Sequence, residues 1–99
     1  MKKQILIEKY IEPSEISIDG NFSSKRWNDK YGDRHSIMGQ PAIICYRKNK
    51  ITLQCWFKKG TKHRDRDLPA RIDYVDGQIE VQSWYKEGTR IKVKNFKIN

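Results

Sequence analysis

The sequence has few of the features that place a chain in a membrane or outside the cell. Its 99 residues contain no apolar stretch near the roughly 20 residues of a membrane span. The apolar run at residues 5–7 is too short for the core of a secretory signal. Two cysteines, Cys45 and Cys55, are too few for a secreted disulfide scaffold. These absences predict a single cytoplasmic domain without a membrane segment, in which both cysteines are buried free thiols.

Residue patterns that carry catalysis or bind metals are equally scarce. His35 and His63 are the only histidines, and a zinc site needs three or four ligands at suitable spacing. No nucleophile motif and no glycine-rich phosphate loop occurs, and the carboxylates are scattered. The sequence therefore predicts that the protein is not an enzyme and that it needs no metal or cofactor.

What the sequence does have is an internal repeat of 28 residues. The stretch Gly32–Gly60 aligns with Gly60–Gly88, and ten of the 28 positions are identical, among them a Trp, a His and a Pro. A fixed period of this length indicates a stacked array of like units, so recurring residues are predicted to serve the stack. His35 and His63 recur in this way. We interpret each as a loop residue whose ring hydrogen-bonds the backbone of its own unit.

A third, degenerate copy precedes these two. Pro13 lies 28 positions before Pro41, but the Asp19-Gly20 pair matches Asp76-Gly77 at an offset of 57. This offset places a missing residue before the first turn, and it predicts an irregular first hairpin because side chains alternate with a period of two. The predicted divisions are a lead-in strand, a degenerate repeat, two full repeats and a C-terminal strand or cap, at residues 1–12, 13–31, 32–59, 60–87 and 88–99.

The local patterns within a unit predict β-hairpins. Asp76-Gly77 is a strong two-residue turn between alternating segments, which places Val75 opposite Gln78. A regular ladder continues this register to Ile72 opposite Val81. The same register in the middle unit puts Cys45 and Cys55 on opposite faces. The predicted fold class is all-β, an elongated antiparallel sheet of consecutive hairpins, with further turns at Lys59-Gly60 and Glu87-Gly88.

The repeat also resembles a known family. Its most complete copy carries Trp56-Phe57, Gly60, His63-Arg64, Asp67, Pro69-Ala70, Ile72, Tyr74 and Gly77 in that order. This pattern resembles the MORN-like repeats found in many phage and large-virus proteins. The resemblance is close across residues 56–88, weaker across 32–55, where the pair is inverted to Arg34-His35, and faint before that. It implies consecutive antiparallel hairpins and a binding or scaffolding role.

Positive charge is concentrated in the second half of the chain. The net charge is +9, with seven Lys/Arg against six Asp/Glu in residues 1–46 and fourteen against six in residues 47–99. Such asymmetry indicates an acidic partner. The predicted partner-binding residues form a basic patch beside the aromatic pair at 56–57, and they are Lys58, Lys59, Lys62, Arg64, Arg66 and Arg71.

The charged loop 63–67 allows two interpretations. Its arginines can present forked donors to a phosphate or a carboxylate. Alternatively, Asp67 accepts backbone N–H bonds while Arg64 pairs within the repeat, so that the loop is an internal lock. Arg66 falls outside the recurring pattern and is the better candidate for a partner contact.

Two functions follow from this patch. The first is a non-enzymatic binding protein, a small phage or viral accessory protein that binds and modulates a host protein with an acidic surface, in the host cytoplasm if it is phage-encoded. The alternative is a nucleic-acid-binding protein that uses the basic patch at residues 58–71 for charge and stacking. Unpaired sheet edges also make a homodimer a candidate assembly.

Overall fold

The computed structural model describes residues 12–97, which contain strands and turns but no helix. Two-residue turns and alternating side chains produce nine strands in this range. Their bounds are β1 Glu15–Asp19, β2 Phe22–Arg26, β3 Ile43–Arg47, β4 Lys50–Cys55, β5 Phe57–Lys58, β6 Thr61–Lys62, β7 Arg71–Val75, β8 Gln78–Lys86 and β9 Thr89–Asn95.

Seven of these strands form one antiparallel sheet in the order β1-β2-β3-β4-β7-β8-β9, and β5 and β6 form a small separate hairpin. The predicted all-β class and the succession of hairpins are confirmed. The molecule measures 45 × 33 × 28 Å. Among residues 12–97 no helix is long and apolar enough to cross a membrane. The predicted lead-in strand falls almost wholly on residues 1–11, which lie outside the described residues.

Four hairpin turns share one backbone geometry. Asp76 and Gly77 have φ angles of 48° and 81°, both in the left-handed region, and two left-handed residues in succession define a type I′ turn. This turn suits a hairpin because its twist matches that of the strands. The predicted turns at Lys59-Gly60 and Glu87-Gly88 have the same geometry, as does Lys48-Asn49.

A bulge follows three of the turns and changes the predicted register. Tyr74 pairs with Ile79 as expected, but Asp73 then pairs with Val81, so Glu80 has no partner in the ladder. The predicted pairing of Ile72 with Val81 is therefore wrong. In each case the returning strand has one extra residue at the third position after the turn, and these residues are Thr52, Glu80 and Ile91.

The bulge also moves the side chains between the faces of the sheet. Because cross-strand partners share a face, Arg71 and Asp73 lie on the side of Ser83 and Val81, while Ile72 lies opposite Gln82. The regular ladder expected from the sequence instead places Val81 and Ser83 on the face of Ile72.

The cysteines move in the same way. Cys45 pairs with Leu53, which is two residues before Cys55 on the same strand. The two cysteines therefore share a face, contrary to the sequence prediction. Both are free thiols as predicted, but only Cys55 is buried, and Cys45 is half-buried.

The first hairpin is regular, contrary to expectation. Its turn is Gly20-Asn21, and the five pairs from Asp19 opposite Phe22 to Glu15 opposite Arg26 continue without a shift. The residue that this copy lacks is therefore the bulge residue after the turn, not a residue before it. The sequence alignment had matched Asp19-Gly20 to the later turn pair because both read Asp-Gly.

The hydrophobic core is small and is built from recurring residues. Trp56, Ala70 and Ile72 are buried and pack with the half-buried Tyr74, Ile79 and Tyr85. The backbone N–H of Trp56 donates to the Ala70 carbonyl at 2.7 Å. The corresponding bond in the preceding unit joins Trp27 to Ala42 at 2.8 Å. Each recurring Trp-Ala pair thus connects one unit to the next.

Candidate partner-binding clefts

The two histidines hold equivalent loops in place. The His35 Nδ1 atom accepts a hydrogen bond from the Lys59 N–H at 3.0 Å, and His63 Nδ1 accepts one from the Glu87 N–H at 3.1 Å. Their interpretation as loop residues that bond backbone is confirmed. Because Nδ1 of His63 accepts a hydrogen bond from the backbone, the ring proton lies on Nε2. Nε2 then donates this proton to a hydrogen bond with the Asp65 carboxylate at 2.7 Å. That bond is the main cause that holds the pKa of Asp65 below its ordinary value.

The loop 63–69 is fastened further by Arg64. Its guanidinium lies 3.8 Å from the centre of the Trp56 ring, and its Nη1 donates to the Pro69 carbonyl at 3.1 Å. Burial lowers the pKa of Arg64 below its ordinary value. Stacking on the ring face is a cation–π contact. The predicted internal lock is therefore present for Arg64.

The recurring tryptophans bind the crests of the loops. The Trp84 indole N–H donates to the Asp67 carbonyl at 2.8 Å, and Trp56 makes the same bond to the Gly39 carbonyl at 3.0 Å. At Asp67 it is thus the backbone carbonyl, an acceptor, that fastens the loop, whereas the lock predicted from the sequence used its carboxylate. Arg66 and Asp67 have left-handed φ angles of 66° and 55°, which project the Arg66 side chain from an exposed crest.

Two clefts lie beside the loop 63–68, which forms a wall between them. The first cleft, with a volume of about 580 Å³, lies between this wall and the loop 35–39, above residues 56–58. The second cleft, of about 220 Å³, lies between the wall and residues 84–86, with Ile91 at its margin. The two clefts occupy equivalent positions in successive units, since residues 84–86 follow residues 56–58 by one 28-residue period.

The structure brings only part of the predicted basic patch to these clefts. Arg64 and Arg66 line both clefts, and Lys58 lines the first. Lys59 stands in the adjoining turn. Lys62 lies over the Tyr85 ring, 4.8 Å from its centre.

Arg71 does not belong to the cleft surface. It lies on β7 and donates to both carboxylate oxygens of Asp73, at 3.1 and 3.0 Å. That hydrogen bonding is the first cause that raises the pKa of Arg71 above its ordinary value. A guanidinium paired in this way stabilises the sheet through a bidentate contact within β7.

Three exposed apolar side chains at the clefts were missed by reasoning from the sequence. Met38, Leu68 and Ile91 are exposed by 60%, 41% and 61%, and Phe57 is half-buried in the first cleft. Leu68 lines both clefts. None of the three exposed residues recurs with the repeat, and the only sequence signal was an apolar residue in an otherwise charged loop.

Most aromatic rings of the described residues are already covered by the protein's own cations. Seven Lys or Arg side chains within residues 12–97 lie over rings, including Lys92 at 4.3 Å from the centre of the Trp84 ring. Stacking of nucleic-acid bases requires a free ring face. These covered rings are poorly suited to it.

The two cysteine thiols are not activated as nucleophiles. Burial raises the pKa of the Cys55 thiol to about 11 and raises that of Cys45 as well. A thiol that stays protonated at neutral pH is a weak nucleophile. Within the part of the chain that the structure describes, no three His, Cys, Asp or Glu side chains are grouped as metal ligands.

Together these features define an all-β protein of consecutive antiparallel hairpins, with clefts between the loops of successive units. Comparisons with family models, curated proteins and solved structures gave no match.

Proposed function

We propose that the protein is a non-enzymatic binding protein, built of MORN-like repeats, whose loops bind an acidic surface of another protein. The observation that carries this proposal is the grouping of Lys58, Arg64 and Arg66 around one cleft that also exposes apolar side chains. A concave surface with an apolar lining and a few charged groups is the usual form of a recognition site. A basic rim adds attraction and orientation for an anionic partner.

The covered rings favour a protein partner over a nucleic acid. A single-stranded nucleic acid gains much of its binding energy by stacking bases on aromatic faces. Here Trp56 is covered by Arg64 and Trp84 by Lys92. The cytoplasm, and the host cytoplasm for a phage-encoded chain, is the compartment that fits such a partner. On this proposal the protein acts by occupying a host protein rather than by chemistry.

The test compares an acidic polypeptide with nucleic acid as probes. We expect polyglutamate to bind the protein at about 50 mM salt and to bind more weakly as salt screens the charges. Changing Lys59→Glu and Arg66→Glu together should weaken this binding by at least about tenfold. Fluorescence anisotropy with labelled probes measures both effects.

The matched control changes Lys48→Glu and Lys50→Glu, which alter the net charge equally but lie at the β3–β4 turn and line neither cleft. That double variant should bind polyglutamate like the parent protein. Equal loss in both double variants would mean that net charge alone drives binding. The nucleic-acid alternative would be established instead if single-stranded oligonucleotides bound more tightly than polyglutamate and lost this binding in the Lys59→Glu, Arg66→Glu variant.

A further inference from the structure

The two edge strands of the sheet differ in charge, and both expose apolar side chains. Within residues 12–97, β1 pairs only with β2 and β9 pairs only with β8. β1 reads Glu-Ile-Ser-Ile-Asp, which is acidic, whereas β9 reads Thr-Arg-Ile-Lys-Val-Lys-Asn, which is basic. The isoleucines and the valine of these two strands are exposed by 39% to 75%. An open strand edge is a template for pairing with another strand.

The alternation of side chains separates charged from apolar residues on each edge. Cross-strand partners share a face, and one row of partners crosses the whole sheet through Ile16, Lys25, Ile44, Gln54, Ile72, Gln82 and Lys94. Ile16 therefore lies on the same face as Lys94 at the opposite edge. The neighbouring row begins at Glu15 and ends at Val93, which share the other face. The apolar side of β1 is thus the face on which β9 carries lysine.

These faces decide how two copies can be joined through their opposite edges. β1 and β9 run in the same direction, because an even number of antiparallel steps separates them. A parallel junction therefore keeps the faces of both copies aligned and sets Ile16 beside lysine. An antiparallel junction turns the second copy over, so that apolar residues oppose apolar residues and a carboxylate opposes lysine. In one such register the opposed pairs are Glu15 with Lys94, Ile16 with Val93, Ser17 with Lys92 and Ile18 with Ile91.

The backbone of β1 presents hydrogen-bonding groups at the position that this register needs. In an antiparallel pair, alternate residues direct both N–H and C=O to the same neighbouring strand. The backbone N–H of Trp27 donates to the Ala42 carbonyl at 2.8 Å, on the side of β3. Arg26 therefore faces β1, and its partner Glu15 faces β2. The next residue, Ile16, directs its N–H and C=O to the open side.

The backbone of β9 matches this arrangement. The Phe96 N–H donates to the Glu80 carbonyl at 2.8 Å, on the side of β8. Residues an even number of positions earlier also face β8, so Val93 directs its N–H and C=O to the open side. Ile16 and Val93 can therefore exchange both backbone hydrogen bonds in the register that their side chains select. The match ends near Ile91, the extra residue at which the alternation of β9 is interrupted.

Charge favours the opposite edge of a second copy over the same edge. Two β9 strands side by side would bring basic side chains together, and like charges directly opposite one another destabilise a strand pair. The Glu15 side chain is exposed by 54%, although its Oε1 accepts a hydrogen bond from Arg34 at 3.2 Å. Lys94 lies over the Phe96 ring, 5.0 Å from its centre, and its ammonium retains N–H donors for a carboxylate.

We propose that copies of this protein associate head to tail, with β9 of one copy pairing antiparallel with β1 of an inverted second copy. One sheet then continues through both molecules. The junction uses a different strand on each copy, so every added copy presents another edge, and the assembly grows as a ring or a filament. This inference goes beyond the proposed function and does not depend on it, because the junction needs no other protein.

Sedimentation velocity measures this association between about 10 µM and about 1 mM protein. We expect the sedimentation coefficient of the parent protein to rise with concentration at about 50 mM salt. The rise should be smaller at about 500 mM salt, because salt screens the charges of the junction.

A charge placed on the apolar side of β1 tests the junction. Ile16→Lys should raise the dissociation constant at least about tenfold, because an edge lysine opposes pairing with another strand. Met38→Lys is the matched control and should leave the association unchanged. Both residues are exposed by 60% and gain the same charge, but Met38 lies between β2 and β3 and not on an edge strand. Circular dichroism establishes that both variants are folded.

Mixing two blocked variants distinguishes head-to-tail from symmetric association. Ile16→Lys blocks β1 and leaves β9 intact, whereas Val93→Lys blocks β9 and leaves β1 intact. Each variant alone should remain a monomer, and an equimolar mixture should form a dimer that grows no further. Undiminished dimerisation of Ile16→Lys alone would reveal a symmetric β9 junction, and that of Val93→Lys alone a symmetric β1 junction. Either result would overturn the head-to-tail proposal.

Two further results would also overturn it. One is a parent protein that stays monomeric at about 1 mM and low salt, and the other is an equal effect of Ile16→Lys and Met38→Lys. Neither result bears on the proposed function, because binding of polyglutamate by the monomer is measured separately. Conversely, failure of polyglutamate to bind would leave the head-to-tail association standing.

Discussion

His63 joins two parts of the chain that are far apart in sequence. Its ring accepts the Glu87 N–H and donates to Asp65, so it links the loop 63–67 to the turn that follows β8. Arg64 performs a related task by covering Trp56. The side chains of His63 and Arg64 are therefore committed to the backbone and to neighbouring side chains. The side chain that leaves this network is Arg66, which stands on the exposed crest.

Replacing the histidines tests their structural role. In His63→Phe the ring volume is kept but the acceptor for the Glu87 N–H is lost, so the free energy of unfolding should fall by about 1 kcal/mol. His35→Phe removes the equivalent acceptor for Lys59 and should cost a similar amount. Urea denaturation followed by circular dichroism measures both changes. An unchanged stability in both variants would show that solvent replaces these bonds without cost.

The hairpins differ by a single residue whose position decides their register. The extra residue, Glu80 in the last full unit, follows the turn and is absent from the first hairpin, where Ile18 to Glu15 continue the ladder without a shift. A bulge increases the local twist. Later hairpins therefore differ from the first in twist while they keep the same order of strands.

Deletion of Glu80 should be tolerated. The pairs Tyr74 with Ile79 and Asp73 with Val81 both survive it, and the hairpin takes the regular form of the first. We expect a folded protein whose free energy of unfolding is lower by about 1–2 kcal/mol. The larger value applies if nothing replaces the hydrogen bond from the Phe96 N–H to the Glu80 carbonyl.

Deletion of Ser24 in the first hairpin is the control for this prediction, because that ladder has no extra residue that can absorb the loss. It shifts Lys25 and Arg26 to the opposite faces, because a one-residue slip reverses the alternation of a strand. That variant should not fold cooperatively in urea. If both deletions lowered the free energy of unfolding equally, Glu80 would be as necessary to the fold as a residue that is paired in the ladder.

At the scale of the molecule, each unit contacts its neighbours along the sheet. The strand order follows the chain without crossovers, and the core cluster lies around Trp56 in the middle of the array. Stability in such a stack is close to a sum of units and nearest-neighbour contacts. Loss of a central contact should therefore destabilise all strands, whereas loss of a terminal contact should destabilise mainly the strands beside it.

The two tryptophans provide the test. Trp56 is 5% exposed, so Trp56→Ala should cost about 3–5 kcal/mol and expose all strands to hydrogen exchange. Trp84 is half-buried near the end of the array. Trp84→Ala should accelerate exchange mainly in β8 and β9. Uniform acceleration along the sheet in the Trp84 variant would contradict the additive description.

Much of this architecture was determined by the sequence. The 28-residue period, the turn pairs such as Asp76-Gly77 and the alternating segments predicted the hairpins, because turn geometry and alternation are local properties. The recurring His63 likewise predicted a loop contact.

The tertiary structure decided the register beyond each bulge, the shared face of Cys45 and Cys55, and the clefts. A bulge depends on the twist that neighbouring strands accept, which no single hairpin sequence reports. The clefts depend on stacking, since Met38 and Leu68 approach one cavity only when successive units lie side by side. For the same reason the basic patch divided, with Arg66 on a cleft wall and Arg71 paired to Asp73 within the sheet.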